Sequence, residues 1–388
     1  MPEYTLQSDY ASVIAIDQHA RSVTACALDL ASGETRTGRL SGCPSAGDIL
    51  EWSSWTGEPR RFVYESGPCG FQLARDLAAL GQRCDVIAVT SIPRSAADRR
   101  FKDDRGDAES LLCAVTAQNS KCRAVHVPSE EAEAARDLAR AYYDLVSATT
   151  RLKMQFSAIL LRHGHVWNER TASGRLRSTW TDDYVSWASS ISLGNPAADG
   201  ALREYREGVL DGIERCRRAK AGLVELSETP RFKPYVDALS RLKGVDRVTA
   251  LTFTATVDDF SRFRSGRRVS SYFGLTPGRH SSGERGCRNG PMSKAGDATV
   301  RKAVVEGLSS ISSCNGRQKA LPKGCRVSAA VEAEAIRCNN QRNARRYRDL
   351  VEAGKKANVA KIAVAKELVR EMWVLGLMVQ RELEAGAL

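Results

Sequence analysis

The chain has 388 residues, of which 42% are hydrophobic and 27% charged, and its formal net charge is +12. These values are typical of a soluble globular protein with two or three domains, and they exclude a disordered or fibrous chain. No stretch approaches the roughly 20 apolar residues of a membrane span, and no signal peptide is recognisable. The eleven cysteines are irregularly spaced, which favours reduced thiols in the cytoplasm.

The first 125 residues predict an α/β domain. Short apolar, β-branched runs predict strands over 12–17, 23–30, 35–40, 61–65 and 84–90. Helical periodicity and stop signals predict helices near 45–55, over 71–81 and over 107–118. This order of three strands, helix, strand, helix, strand and helix is that of an RNase H-like fold, in which strand ends deliver acids to one edge of the sheet.

Four acids stand where such a sheet would bring them together. Asp17 and Glu65 close two predicted strands, while Asp104 and Asp107 lie three residues apart at the start of the last helix. Carboxylate oxygens are the ligands that Mg²⁺ prefers, so the set indicates a divalent-metal site. Taken singly, each acid has a simpler explanation, as a strand terminator or as a partner of the helix dipole.

Residues 126–232 predict a helical arm with coiled-coil-like seams. Ser129, followed by two glutamates, is a favourable helix start. Apolar residues then recur at spacings of three and four, first at Leu138, Tyr142, Leu145, Thr149, Leu152, Phe156 and Ile159 and again at Leu202, Tyr205, Val209, Ile213, Cys216 and Leu223. Such seams fit either an arm that packs on itself or an arm that pairs with another subunit.

Residues 233–388 predict a mainly α-helical domain that carries a basic segment. Two helices joined by a tight glycine turn are predicted over 235–257, in partial likeness to the helix-hairpin-helix that grips a DNA backbone, and an amphipathic helix is predicted over 357–386. Ten Lys or Arg and only two acids lie between Arg262 and Lys302, a net charge of +8. A surface that is basic merely for solubility does not need this concentration, whereas a phosphate backbone selects it.

Two sets of motifs resemble a known family. IAIDQHARS, YESGPCGFQLARDL and KDDRGDAESLL resemble the N-terminal RuvC-like domain of the DEDD-type insertion-sequence transposases, and residues 274–307 resemble their C-terminal transposase domain. The resemblance implies that Asp17, Glu65, Asp104 and Asp107 are catalytic residues that bind Mg²⁺. Asp103 stands where the family usually has a small hydroxyl residue, and it is a further candidate ligand.

The same resemblance implies a serine nucleophile within RHSSGERG, at Ser281 with Ser282 as the alternative. A serine needs a base or a metal to activate it, and from the residues alone the stretch indicates a flexible basic loop with two polar residues. The residues expected to contact nucleic acid are Arg279, Arg285, Arg288, Lys294 and Arg301.

The function implied is that of a transposase or DNA recombinase that cuts and rejoins donor and target DNA as a dimer or tetramer, associated with the bacterial nucleoid in the cytoplasm. The family includes serine recombinases guided by a noncoding bridge RNA and related DNA invertases. Two alternatives stay open: a RuvC-like metal-dependent nuclease or junction resolvase without a covalent intermediate, and a non-catalytic nucleic-acid-binding protein.

Overall fold

The computed structural model describes residues 9–93, 104–117, 120–282, 286–309, 311, 327–339 and 342–386. The chain divides into two compact units, residues 1–129 and 130–388. The predicted arm and the predicted C-terminal domain both belong to the second unit, and the division between them stays a prediction. Within the described ranges, no helix is long and apolar enough to cross a membrane.

A five-stranded sheet forms the centre of the first unit, in the order β3-β2-β1-β4-β5. Its strands are β1 (Ser12–Gln18), β2 (Ser22–Asp29), β3 (Thr35–Ser41), β4 (Arg60–Glu65) and β5 (Arg83–Ile87). The central strand β1 pairs antiparallel with β2 and parallel with β4, and β4 pairs parallel with β5. The elements of this α/β unit follow one another in the predicted RNase H-like order. The last strand, β5, ends at Ile87 and not at residue 90.

Side-chain alternation along the strands gives the sheet two buried faces. Ile14 and Ile16 lie on the face covered by α1 (Ala46–Trp52) and α2 (Gln72–Ala79). Val13 and Ala15 lie on the opposite face, which α3 (Asp104–Thr116) covers. Because both faces of β1 are covered, its sequence is an unbroken apolar run and not an alternation of apolar and polar residues.

The second unit is mostly helical, as predicted. Its helices are α4 (Glu130–Arg162), α5 (Asp182–Ser190), α6 (Pro196–Leu226), α7 (Lys233–Leu239), α8 (Arg247–Val257), α9 (Gly266–Tyr272), α10 (Ala298–Gly307), α11 (Ala329–Asn339), α12 (Arg342–Glu352) and α13 (Ala357–Glu384). A hairpin of β6 (Pro277–Ser282) and β7 (Gly286–Met292) interrupts them. One hydrophobic core joins the base of α4 to the C-terminal helices, with α8 and α13 at its centre.

The two long helices of the arm, α4 with 33 residues and α6 with 31, pack antiparallel along each other. Gly222 faces Leu138 and Gly212 faces Thr149, so the residue numbers decrease along α6 as they increase along α4. At 1.5 Å per residue each helix is ~50 Å long. The two helices of the arm thus pack on each other within the chain, while pairing of the arm with another subunit and its coiled-coil character stay predictions.

The glycine turn between α7 and α8 is explained by packing. Gly244 has a φ of +83°, and a Cβ there would lie 2.8 Å from the carbonyl oxygen of Gly307. Asp246 then caps α8 by accepting a hydrogen bond of 2.8 Å from the backbone N–H of Thr249. The two predicted helices are present, and a grip of this turn on DNA stays a prediction.

Candidate active site

Asp17 and Glu65 lie at the ends of two neighbouring parallel strands. Ile16 of β1 stands opposite Tyr64 of β4, so the two acids are the next residues on strands that run ~4.8 Å apart. Alternation puts both acids on the face of the sheet that α3 covers. The structure therefore brings these two carboxylates to one edge, as the strand pattern predicts.

The helix that carries the paired acids begins earlier than predicted. α3 starts at Asp104 and not at Asp107, so both residues belong to its first turn. Asp107 is half-buried and precedes Ala108, which packs on the sheet with Leu111. The side chain of Asp104 and the whole of Asp103 lie outside the described residues. Among the side chains that are described, no three His, Cys, Asp or Glu residues stand close enough to hold a metal ion.

A histidine that the sequence reasoning missed lies beside the first acid. His19 Nε2 is 3.0 Å from Asp17 Oδ2, and the two side chains are 46% and 21% exposed. The signal was present in the sequence, because His19 follows Asp17 by two residues at the turn between β1 and β2. The partly buried carboxylate of Asp17 thus lies beside an exposed imidazole at this edge of the sheet.

A second missed residue, Glu109, lies one turn beyond the start of α3. Its Oε1 accepts hydrogen bonds of 3.0 Å from Arg105 Nε and from the Thr37 hydroxyl of β3. Hydrogen bonding to Arg105, and then to Thr37, lowers the pKa of the Glu109 carboxyl. The ionised carboxylate thus links α3 to the edge strand β3 and helps to fix the position of the helix on the sheet.

Ser281 and Ser282 end a strand, which corrects the prediction of a loop. In the hairpin, Ser281 stands opposite Cys287 and Ser282 opposite Gly286, and residues 283–285 between the strands lie outside the described residues. The backbone therefore places both serines at the end of the two-stranded ribbon where β6 and β7 connect. The side chains from 279 to 289 lie outside the described residues, and so does the whole of Arg285.

The two chain segments that flank this hairpin are locked together at its base. A Cβ on Gly296 would lie 1.8 Å from the carbonyl oxygen of Tyr272, and one on Gly274 would lie 2.3 Å from that of Ala295. Both glycines have positive φ values, +70° and +65°. Arg301 Nη1 donates to the carbonyl oxygen of Ala295 at 3.0 Å. Close backbone approach thus explains the first glycine of GLTPG and the glycine of SKAGD.

The residues predicted to contact nucleic acid have different surroundings. Lys294 is exposed and has a φ of +53° just after β7. Arg301 is half-buried and donates at 3.0 Å to the carbonyl oxygen of Phe273 as well as to that of Ala295. Its guanidinium therefore supports the base of the hairpin. Arg279 and Arg288 belong to β6 and β7 by their backbone.

Comparison with known proteins points to one family. A family model of DEDD transposases of the IS110 type matches residues 14–164, and a second model, described as Transposase IS116/IS110/IS902 family, matches residues 236–322. The Sinorhizobium fredii protein y4qE, which is named as a transposase, is 35% identical over 322 residues, covering 81% of this chain and 74% of that protein.

Two further relatives carry similar names. The transposase for insertion sequence element IS1533 from Leptospira borgpetersenii is 27% identical over 223 residues, covering 58% of this chain and 61% of the relative. A Pseudomonas aeruginosa protein named as a family 20 transposase is 26% identical over 304 residues, covering 78% of this chain and 79% of the relative.

Proposed function

This chain belongs to the IS116/IS110/IS902 family of insertion-sequence transposases, with a DEDD domain at its N-terminal end, and we propose that it cuts and rejoins DNA strands with a carboxylate-bound metal and a serine nucleophile. The observation that carries the proposal is the position of Asp17 and Glu65 at the ends of adjacent parallel strands, on the face where α3 begins with Asp104. If the acids of α3 meet Asp17 and Glu65 at this edge, the resulting set of carboxylates would suit a phosphoryl-transfer site.

We assign the metal to the four acids of the first unit. Asp17, Glu65, Asp104 and Asp107 would hold Mg²⁺, whose chemistry is to offset negative charge on a reacting phosphate. The fit rests on the oxygen donors of the set and on the position of Asp17 and Glu65 at neighbouring strand ends. His19 lies beside this site, with its Nε2 3.0 Å from Asp17 Oδ2.

We assign the nucleophile to Ser281 in the second unit. Its hydroxyl oxygen would form a bond to the DNA phosphorus, while the bond from phosphorus to a deoxyribose oxygen breaks and that oxygen leaves as a hydroxyl. Rejoining reverses the exchange, because a deoxyribose hydroxyl attacks the phosphoserine diester and the serine regains its proton. Neighbouring arginines would offset the charge that develops on the phosphate oxygens.

The partners follow from the charge distribution. The +8 segment from Arg262 to Lys302 supports contact with the phosphate backbone of donor and target DNA. We further propose a noncoding guide RNA as the source of sequence specificity. A basic surface binds phosphates without recognising the base sequence, whereas base pairing with an RNA can recognise it. Sequencing the nucleic acid that copurifies with the protein tests this assignment, and a discrete RNA species is the expected result.

Substitution of the strand-end acids tests the metal site. Asp17→Asn and Glu65→Gln should each lower strand cleavage of a plasmid substrate by ~100-fold or more, since each removes several kcal/mol of charge stabilisation. Glu51→Gln, which changes an exposed acid of α1, is the matched control and should cleave normally. Circular dichroism should show the same fold in all three. Near-normal cleavage by both site variants would indicate that Asp17 and Glu65 have a structural role and not a catalytic one.

A further inference from the structure

A second basic region lies outside the serine hairpin. Between Arg342 and Lys361 there are seven Lys or Arg and two acids, a net charge of +5. Together with the segment from Arg262 to Lys302, which carries +8, this region holds slightly more than the whole net charge of +12. The remaining residues together carry a net charge of −1.

Three helices bring part of this charge to one face of the second unit. The start of α9 packs on α13, since a Cβ on Gly266 would lie 3.0 Å from Cγ of Arg370. The Ser270 hydroxyl of α9 donates to the carbonyl oxygen of Lys366 at 3.3 Å. Next to this contact, Asn343 of α12 donates to Glu371 of α13 at 2.7 Å.

The cations on these helices lie near one another. Arg267 of α9 and Arg346 of α12 are exposed, while Lys366 and Arg370 of α13 are half-buried. Burial lowers the pKa of Lys366, and the positive charges of Arg370, Arg267 and Arg346 lower it further, while Glu367 raises it. The repulsion among these cations is an electrostatic cost that a bound polyanion would reduce.

Glu367 is the acid that accompanies these cations, and it is already engaged. Its carboxylate lies 3.1 Å from Arg370 Nη1 and 4.0 Å from Arg342 Nη2. Arg370 is thereby held along α13, while Arg267 and Arg346 stay exposed on the neighbouring helices. Planar guanidinium groups match the geometry of phosphate oxygens and bind them through paired hydrogen bonds.

We propose that Arg267, Arg346, Lys366 and Arg370, the α9–α12–α13 face, form a second binding surface for the phosphate backbone of duplex DNA. This inference rests on the proposed function, because DNA is the substrate of that reaction. The surface is built from other elements than the serine hairpin, so it would hold duplex away from the reacting phosphate and contribute affinity and not chemistry. Contacts of this kind are independent of base sequence.

Salt-dependent binding of the full-length protein tests the proposal. The double variant Arg267→Gln/Arg346→Gln should bind a 40-base-pair duplex of random sequence more weakly than wild type at low salt. In fluorescence anisotropy, its slope of log K against log [salt] should fall by about two, roughly one for each phosphate that the variant no longer neutralises. Arg203→Gln, which changes an exposed arginine of the arm, is the matched control and should keep the wild-type slope.

The outcomes separate this surface from the active site. An unchanged slope and affinity for duplex DNA would overturn the proposal, even if cleavage by the wild type is normal. A loss of affinity confined to duplex RNA would also overturn it and assign the face to RNA. Failure of the wild type to cleave DNA would instead count against the proposed function and leave the comparison of slopes valid.

Discussion

Glu371 is a buried acid whose surroundings give the protein a specific pH response. Burial raises the pKa of this carboxyl from its ordinary value of 4.5 to about 7, although the Asn343 amide and the Arg342 guanidinium lower it. The neighbouring Glu367 raises it again. Between pH 4.5 and 7 the unfolded chain therefore ionises at this position while the folded chain stays protonated.

The contribution of Glu371 to the free energy of unfolding should accordingly be highest below pH 4.5, fall as the pH rises through this window, and level off above pH 7. Glu371→Gln should remove this contribution and stabilise the protein at pH 8 by up to ~3 kcal/mol. Chemical denaturation at half-unit pH steps measures both quantities. Glu352→Gln, an exposed acid of α12, is the control, and a Glu371→Gln profile that parallels the wild type would contradict the assignment.

Single residues also show what the sequence can predict at the site. Asp17 and Glu65 could be placed because strand alternation and the parallel pairing of β1 with β4 leave one arrangement for their side chains. The position of His19 could not be predicted, because it depends on the turn between β1 and β2, where His19 N–H donates to the Ser22 carbonyl. A turn of this kind leaves no periodic signal.

The antiparallel packing of α4 on α6 predicts opposite effects for two glycines of the same helix. A Cβ at Gly212 would lie 2.5 Å from the Thr149 hydroxyl oxygen, whereas nothing lies within 4 Å of one at Gly200. Gly212→Ala should cost ~1–3 kcal/mol through overpacking. Gly200→Ala should instead stabilise the protein by ~0.5–1 kcal/mol, because alanine favours the helix. Thermal unfolding of both variants is the measurement, and equal effects would argue against the packing of this pair.

The hairpin of β6 and β7 is the element that sequence reasoning predicted least well. Its residues read RHSSGERGCRNG, without the alternation of apolar and polar residues that marks a half-buried strand. What fixes it is the backbone contact at its base, where Gly274 and Gly296 meet the opposite segment. Local sequence patterns do not reveal long-range contacts of this kind.

The helices of the arm could be predicted from the sequence, because apolar residues recur regularly along a seam of about two dozen residues.

At the scale of the whole molecule, the acids and the proposed serine belong to different compact units. The proposed reaction needs both, so we propose an oligomer, a dimer or tetramer, in which one subunit's serine meets another subunit's acids. Mixing a Ser281→Ala protein with an Asp104→Asn protein should then restore part of the recombination activity. Co-assembled mixtures that stay inactive, with assembly verified by affinity tags, would indicate that each site is built within a single chain.

In the proposed reaction, strand exchange passes through a covalent serine–DNA link, and trapping that link tests the reaction directly. Wild-type protein incubated with Mg²⁺ and a nicked DNA substrate should yield an adduct that survives denaturing electrophoresis. Ser281→Ala should abolish the adduct, and Ser282→Ala should keep it. Disappearance in Ser282→Ala with retention in Ser281→Ala would move the nucleophile by one residue. Cleavage by the wild type without any adduct would contradict the account and favour hydrolysis by a metal-activated water.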